Sequence, residues 1–216
     1  MKRICIAIVL IATSCSIQKT RLQSFNESLG ENKATELTTL VKYFESYLAD
    51  LYPGLTGFDI RFKKLLTDLR SSEYRLNARM ILNDSIVGLV TNIYQLGGLH
   101  EELWIREDSI EYSVNPEKTL NAEEDISDLD DLADSVILYR SNINSGYHKG
   151  LSKFKKDKFI KTYIDARESM GDFSSPLMAD AFIAWSDRVD YNDPILKRIV
   201  TMEIFIPIAY ISLEKV

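Results

Sequence analysis

The sequence predicts a mainly α-helical protein, a bundle of about six to seven helices. Apolar residues recur every three or four positions along several segments, which is the period of one face of an α-helix. The 216 residues include only nine Gly and five Pro, so long elements joined by modest loops are expected. With 45% hydrophobic and 27% charged residues, the composition is ordinary for a globular chain and excludes a disordered or polytopic membrane protein.

Three apolar stripes follow one another in the first half of the chain. The first lies on a helix over about 35–51, and the second follows a break at Pro53-Gly54. The third ends at Gly97-Gly98, where glycine suits a helix C-terminus. The members are Leu37, Val41, Phe44, Leu48 and Leu51, then Phe58, Phe62, Leu65, Leu66 and Leu69, then Leu82, Ile86, Leu89, Ile93 and Leu96. Short breaks between the stripes predict antiparallel helices whose apolar faces form the core.

The segment 99–120 has two interpretations. The first interpretation is a helix over 100–108. The other is a short β-hairpin near 103–114, because Ile110, Tyr112 and Val114 alternate with polar residues.

A fourth helix is predicted to begin at Asn121, because Asn is a good N-cap and Glu124 stands where a capping-box partner belongs. A loop between Gly146 and Gly150 then leads into a lysine-rich helix over about 152–170.

Proline marks the start of each of the last two predicted helices. Ser175-Pro176 and Asp193-Pro194 place Pro at the first helical position, where its missing N–H costs nothing. We expect the final helix to kink or end near Phe205, just before a further proline.

The N-terminus has the layout of a secretory signal. Lys2 and Arg3 precede a nine-residue apolar run over 4–12, and Thr13, Ser14 and Cys15 follow. The run is too short to span a bilayer, which needs about 20 apolar residues. An ordinary signal peptidase, which also accepts small residues at these places, would leave a secreted protein with a free thiol.

A Cys directly after two small residues resembles the lipobox of bacterial lipoproteins, and the resemblance covers residues 1–15 only. It implies that residues 1–14 are a signal peptide and that Cys15 becomes the mature N-terminus, carrying palmitate-type acyl chains. It also implies an exported protein that is anchored by this lipid to the cell envelope, at the periplasmic or outer-membrane side of a Gram-negative bacterium. The membrane is then the first partner, reached through the lipid on Cys15.

The mature chain is divided into a lipidated tether over 15–34, which is polar with little periodicity, and a single helical domain over 35–216. The only cysteines are Cys5 and Cys15, so the mature body contains no disulfide. Removing Lys2 and Arg3 leaves 24 basic and 32 acidic residues, a net charge of −8. Such a balance excludes a nucleic-acid partner, which needs a basic surface.

No motif predicts a catalytic, metal or cofactor site. His100 and His148 are the only histidines, and neither has a second ligand at metal spacing. A nucleophile elbow and phosphate-binding loops are also absent from the sequence. Glu168 is the one candidate general acid for cleaving an envelope glycan.

Two charged stretches are candidate partner patches or simple solvated helix faces. The acidic stretch begins like a calcium loop, but Ala133 and Tyr139 stand where that loop needs Gly and Glu. The residues singled out are Asp128, Asp130 and Asp131 in the acidic stretch, and Lys153, Lys155, Lys156 and Lys158 in the basic one.

Three functions are compatible with these features. The first is an envelope lipoprotein with a non-enzymatic, protein-binding role, whose partner is another envelope protein. The second is an immunity protein against an antibacterial toxin, which rests on likeness of type alone. The third is an enzyme that acts on envelope glycan or peptide, with Glu168 or His148 in an open cleft.

Overall fold

The computed structural model describes residues 20–71, 80–106, 139–170 and 175–213. Helix α1 covers residues 20–29. It is followed by α2 (Glu31–Leu51), α3 (Phe58–Ser71), α4 (Asp84–Leu96), α5 (Leu99–Leu103), β1 (Trp104–Arg106), β2 (Tyr139–Ser141), α6 (Gly146–Ser152), α7 (Lys158–Met170), α8 (Ser175–Trp185), α9 (Pro194–Val200), a π-helical turn (Thr201–Phe205) and α10 (Ile206–Leu213). The predicted mainly α-helical fold is confirmed.

The apolar stripes of α2 and α3 form the centre of the core, as predicted. Every member of both stripes is buried. Phe44 of α2 stacks on Phe205 of the π-helical turn, with ring centroids 4.9 Å apart, and meets Phe62 of α3 edge-on at 6.0 Å. These contacts bring the first and last parts of the chain into one apolar cluster.

The predicted core face of α4 is wrong at Leu89 and Leu96, whereas Leu82 is buried and Ile86 and Ile93 are partly buried against the core. Val87, Val90 and Tyr94 are buried, whereas Leu89 is 38% exposed and Leu96 is 85% exposed. The apolar face of this helix is wide, about half of its circumference at 100° per residue, so two adjacent stripes with the same period share it. Burial is decided by the packing of α4 against α10, and the start and end of the helix agree with the prediction.

The segment after Gly98 agrees in part with the predicted helix, and its strand pairs with a more distant segment than the predicted hairpin required. A short helix, α5, is followed directly by β1, which pairs antiparallel with β2 so that Ile105 faces Arg140 in the register. The second strand of the predicted hairpin near 103–114 lies outside the described residues. The helix predicted to begin at Asn121 lies outside them as well.

The predicted tether is wrong for residues 20–34, which are helical and packed. Phe25 is fully buried and Leu29 almost so. Gly30, with φ of 87°, makes the corner between α1 and α2 that a left-handed glycine allows. Helix α1 lies close against α6, and the contact requires glycine at two positions of α6. A Cβ on Gly146 would collide with the Ser28 carbonyl oxygen, and one on Gly150 would lie 2.8 Å from the Phe25 ring.

The lysine-rich segment contains two helices instead of one. The first, α6, begins where a loop was predicted, because the Ser145 hydroxyl caps it by accepting from the His148 N–H. Asp157 then caps α7 by accepting from the N–H groups of Phe159 and Ile160, which ends the intervening turn.

The last part of the chain bears out the predicted breaks. Asp193 caps α9, with Pro194 at its first position. The predicted kink near Phe205 is a π-helical turn, in which the Ile206 N–H reaches the Thr201 carbonyl. Pro207 follows at once and cannot donate a helical hydrogen bond, which explains the irregular turn at this place.

Candidate functional site

A buried ion pair connects α7 with the π-helical turn. The guanidinium of Arg167 contacts Oε1 of Glu203, and the Tyr163 hydroxyl donates to the same oxygen at 2.5 Å. Both charged side chains are about 5% exposed. Arg167 also donates to the Ser141 hydroxyl at 3.3 Å, so that the pair connects α7, β2 and the C-terminal segment.

Aromatic rings complete the surroundings of this pair. The Arg167 guanidinium lies 4.4 Å from the centroid of the Trp104 ring, whose indole N–H donates to the Tyr94 hydroxyl at 3.1 Å. Burial alone would lower the pKa of Arg167, but Tyr163 and Glu203 outweigh it and the pKa lies above its ordinary value. Burial raises the pKa of Tyr163 well above the usual range. Both side chains therefore keep their protons at physiological pH, and the pair acts as a structural contact.

A second buried arginine, Arg198 on α9, is held without a carboxylate among the described residues. Its guanidinium donates to the Pro194 carbonyl at 3.0 Å and to the Thr38 hydroxyl at 2.9 Å. Burial lowers the pKa of Arg198 to about 10. The side chain remains charged at neutral pH and joins α9 to α2.

The structure brings together His148 and Glu168, the two residues named as candidates for an enzyme. Nε2 of His148 lies 3.0 Å from Oε1 of Glu168, and Lys155 donates to the same oxygen at 3.2 Å. The cluster is open to solvent on the Glu168 side, where the carboxylate side chain is 40% exposed. His100, the other histidine, lies elsewhere, with its ring edge-on to Tyr94 at 5.5 Å.

The electrostatics of this cluster do not suit a general acid. Hydrogen bonding to Lys155 lowers the pKa of Glu168, so the carboxyl has lost its proton at neutral pH. A glycoside-cleaving acid needs the opposite shift, which a dry apolar environment produces. Burial lowers the pKa of His148, so the imidazole is neutral at the same pH. The arrangement favours a surface contact over proton transfer to a sugar.

The predicted basic patch lies on and around the turn between α6 and α7. All of its members are exposed, and they extend along both flanking helices: Lys149, Lys153, Lys155, Lys156, Lys158 and Lys161. Lys155 pairs with Glu168 and Lys161 with Asp165. The turn itself is packed against the start of α1.

The acidic stretch with Asp128, Asp130 and Asp131 lies outside the described residues, and so does Cys15. Among residues 20–71, 80–106, 139–170 and 175–213, no group of three or more potential metal-ligating side chains comes together.

An apolar groove between α7 and α8 is the feature that the sequence did not reveal. It encloses about 170 Å³ and is lined almost entirely by carbon, with the Tyr163 ring on its inner wall. Its lining includes Ala166 of α7 and Leu177 and Ala181 of α8. Leu177 is 52% exposed at this groove.

Two signals in the sequence were missed. Glu203 is a lone carboxylate in a long apolar run over 199–213, and a carboxylate in such a run is expected to be paired with a cation. The small residues Ala166 and Ala181, on the facing helices α7 and α8, leave the space that forms the groove.

Within the described residues, no helix combines the length and the apolar character that a membrane crossing requires. Searches with this chain find no matching family model, no similar curated protein and no similar solved structure.

Proposed function

We propose that this protein is a lipid-anchored protein of the cell envelope that binds another envelope protein and performs no catalysis. The observation that carries the proposal is the sequence Thr13-Ser14-Cys15 after a nine-residue apolar run. The folded body is compatible with it, because the described part of α1 starts at Thr20, five residues after Cys15, and is packed on α6.

The apolar groove supports the binding role. Its rim carries the exposed Leu177, and its lining offers almost no polar group to orient a small polar substrate. A groove of this size accepts one or two apolar side chains of a partner, which is how anchor residues commonly bind. The lowered pKa of Glu168 argues against the glycan-cleaving alternative.

The anchor is tested with the two cysteines of the chain. We expect Cys15→Ser to move the protein from the membrane to the soluble fraction and to abolish incorporation of labelled palmitate. Cys5→Ala is the matched control and should leave both unchanged, because Cys5 lies within the removed segment. A Cys15→Ser protein that stays in the membrane would contradict the anchor.

The binding surface is tested with two equally exposed apolar residues. Leu177 in the groove is 52% exposed and Ile60 on α3, outside the groove, is 53% exposed. In affinity capture from the native membranes, Leu177→Asp should lose a partner that the wild type and Ile60→Asp both retain. Loss in both variants, or in neither, would remove the groove from the proposal.

A further inference from the structure

We infer that the lysine-bearing turn between α6 and α7 is a membrane-facing surface that contacts anionic phospholipid headgroups. The inference rests on the proposed lipid anchor and adds an orientation of the body to it. We call the surface formed by Lys149, Lys153, Lys156 and Lys158 the basic turn.

The first step is the position of the basic turn beside the start of α1. The Lys153 ammonium donates to the Ser24 carbonyl at 2.8 Å. The Arg21 guanidinium lies 5.1 Å from the centroid of the Phe154 ring and 3.9 Å from the Asp157 carboxylate. Three separate contacts therefore hold the turn against the first residues of α1.

The second step is the length of chain that precedes α1. Five chain steps connect Cys15 to Thr20, and at no more than ~3.6 Å each they span at most about 18 Å. An acylated Cys15 is located at the membrane surface. The start of α1, and with it the basic turn, is consequently held within a short distance of the headgroups.

The third step is the charge of the basic turn. Its four lysines are exposed, and none of them pairs with a carboxylate of the described residues. Asp157, the nearest acidic side chain in sequence, is engaged in capping α7 and in contacting Arg21. A mature chain of net charge −8 thus presents a local positive surface at the end where the lipid is attached.

An anionic bilayer is the partner that fits this geometry. Basic side chains close to such a surface are attracted within about 8 Å, the screening length at physiological salt. Lipid anchors are commonly strengthened by a polybasic patch of this kind. Because three acyl chains would already retain the protein on the membrane, the effect of the basic turn is on orientation.

The test is a comparison of lysine reactivity in the full lipidated chain. The protein is inserted from detergent into preformed vesicles of phosphatidylcholine, with or without phosphatidylglycerol, and treated with a water-soluble amine reagent. We expect Lys149, Lys156 and Lys158 to react about fivefold more slowly in the anionic vesicles and to recover at high salt. Lys42 and Lys64, exposed on α2 and α3, are internal controls and should react equally in both.

Two charge-matched variants locate the effect. With Lys149, Lys156 and Lys158 all changed to Gln, the slower reaction of Lys153 in anionic vesicles should disappear. Changing Lys42, Lys64 and Arg70 to Gln removes the same amount of charge from another surface. In this variant Lys153 should still react more slowly in anionic vesicles. Equal effects of the two triple variants would overturn the inference.

Flotation separates the failure of the anchor from the failure of the basic turn. A chain that floats with phosphatidylcholine vesicles but shows no slowing in anionic ones keeps its anchor and loses this inference. The basic-turn lysines could also react slowly in native membranes but not in anionic vesicles. That result would assign the basic turn to a protein or glycan partner and would also overturn the inference. A chain that floats with neither vesicle overturns both proposals.

Discussion

Arg167 and Arg198 are equally buried, at about 4% exposure each, yet the protein stabilises the two charges in different ways. Arg167 has a carboxylate, Glu203, and its pKa lies above the ordinary value. Arg198 donates to a carbonyl and a hydroxyl, and burial lowers its pKa to about 10 because it outweighs the attraction of Tyr147 and Asp193. Burial alone therefore does not decide how much a buried arginine contributes to stability. The contribution depends on whether removing the arginine leaves a buried charge without a partner.

The difference follows from where the partners come from. Glu203 belongs to the π-helical turn and meets an arginine from α7, so removing either side chain strands a charge in the core. The Pro194 carbonyl and the Thr38 hydroxyl are different, because each is part of a helical turn and Thr38 also donates to the Ala34 carbonyl. They keep these helical bonds when the arginine is absent.

The largest expected effect is that of Arg167→Met. It leaves the Glu203 carboxylate buried without a cation, and breaking such a pair costs about 3–5 kcal/mol of unfolding free energy. Urea unfolding followed by circular dichroism measures it. The double variant Arg167→Met, Glu203→Leu removes both charges and should recover most of the loss. A loss below about 1 kcal/mol in the single variant would show that the pair behaves as if it were solvated.

A much smaller effect is expected for Arg198→Met. The substitution preserves apolar volume beside Phe25 and leaves no buried charge behind, so the unfolding free energy should change by about 1 kcal/mol or less in either direction. The same urea experiment applies. A loss as large as that of Arg167→Met would mean that the two arginines are equivalent after all.

The smallest effect concerns His148, a basic side chain that stays neutral. Burial lowers its folded pKa below 6.5, so the unfolded state binds more protons between the two values. The unfolding free energy should therefore fall as the pH falls below about 6.5, and be unaffected above it. His100 has its pKa lowered in the same direction by burial.

Replacing His148 by Gln should make the unfolding free energy less dependent on pH below about 6.5. The loss of stability on acidification should become smaller by less than about 1 kcal/mol. Thermal melts between neutral and mildly acidic pH measure it. Glu168→Gln should act in the opposite direction and steepen the pH dependence, because Glu168 raises the pKa of His148 and its removal lowers that pKa further. A stability that rises on acidification would reverse the assigned direction.

The sequence predicted the buried faces of those helices whose apolar residues form one narrow stripe. In helices α2 and α3 the large apolar residues recur every three or four positions among polar ones, so the sequence offers one face of each helix for burial. In α4 the apolar residues occupy both the face of Leu89 and that of Val90, and tertiary packing made the choice. A single-sequence pattern carries no information about such a choice.

Helix α1 was missed for a related reason. Its stripe is short, with Leu22, Phe25 and Leu29 among polar residues, and its burial depends on the space left by Gly146 and Gly150 more than a hundred residues later. The basic turn was predicted as a cluster, but its position beside α1 depends on the same long-range packing. The apolar groove likewise arises between two helices and is encoded by neither alone.

The π-helical turn determines which face of the C-terminal helix α10 is buried. Residues 194–213 are continuous in helix except for the one additional residue that the wider turn accommodates. Each residue advances an α-helix by about 100°, so a regular α-helix with the same number of residues and no wider turn would present α10 rotated by roughly that angle. Ser212, whose hydroxyl accepts from the Leu82 N–H, would then face away from its partner. The register of the C-terminal helix is therefore set by a single residue, and the turn functions as a phase correction between two buried faces.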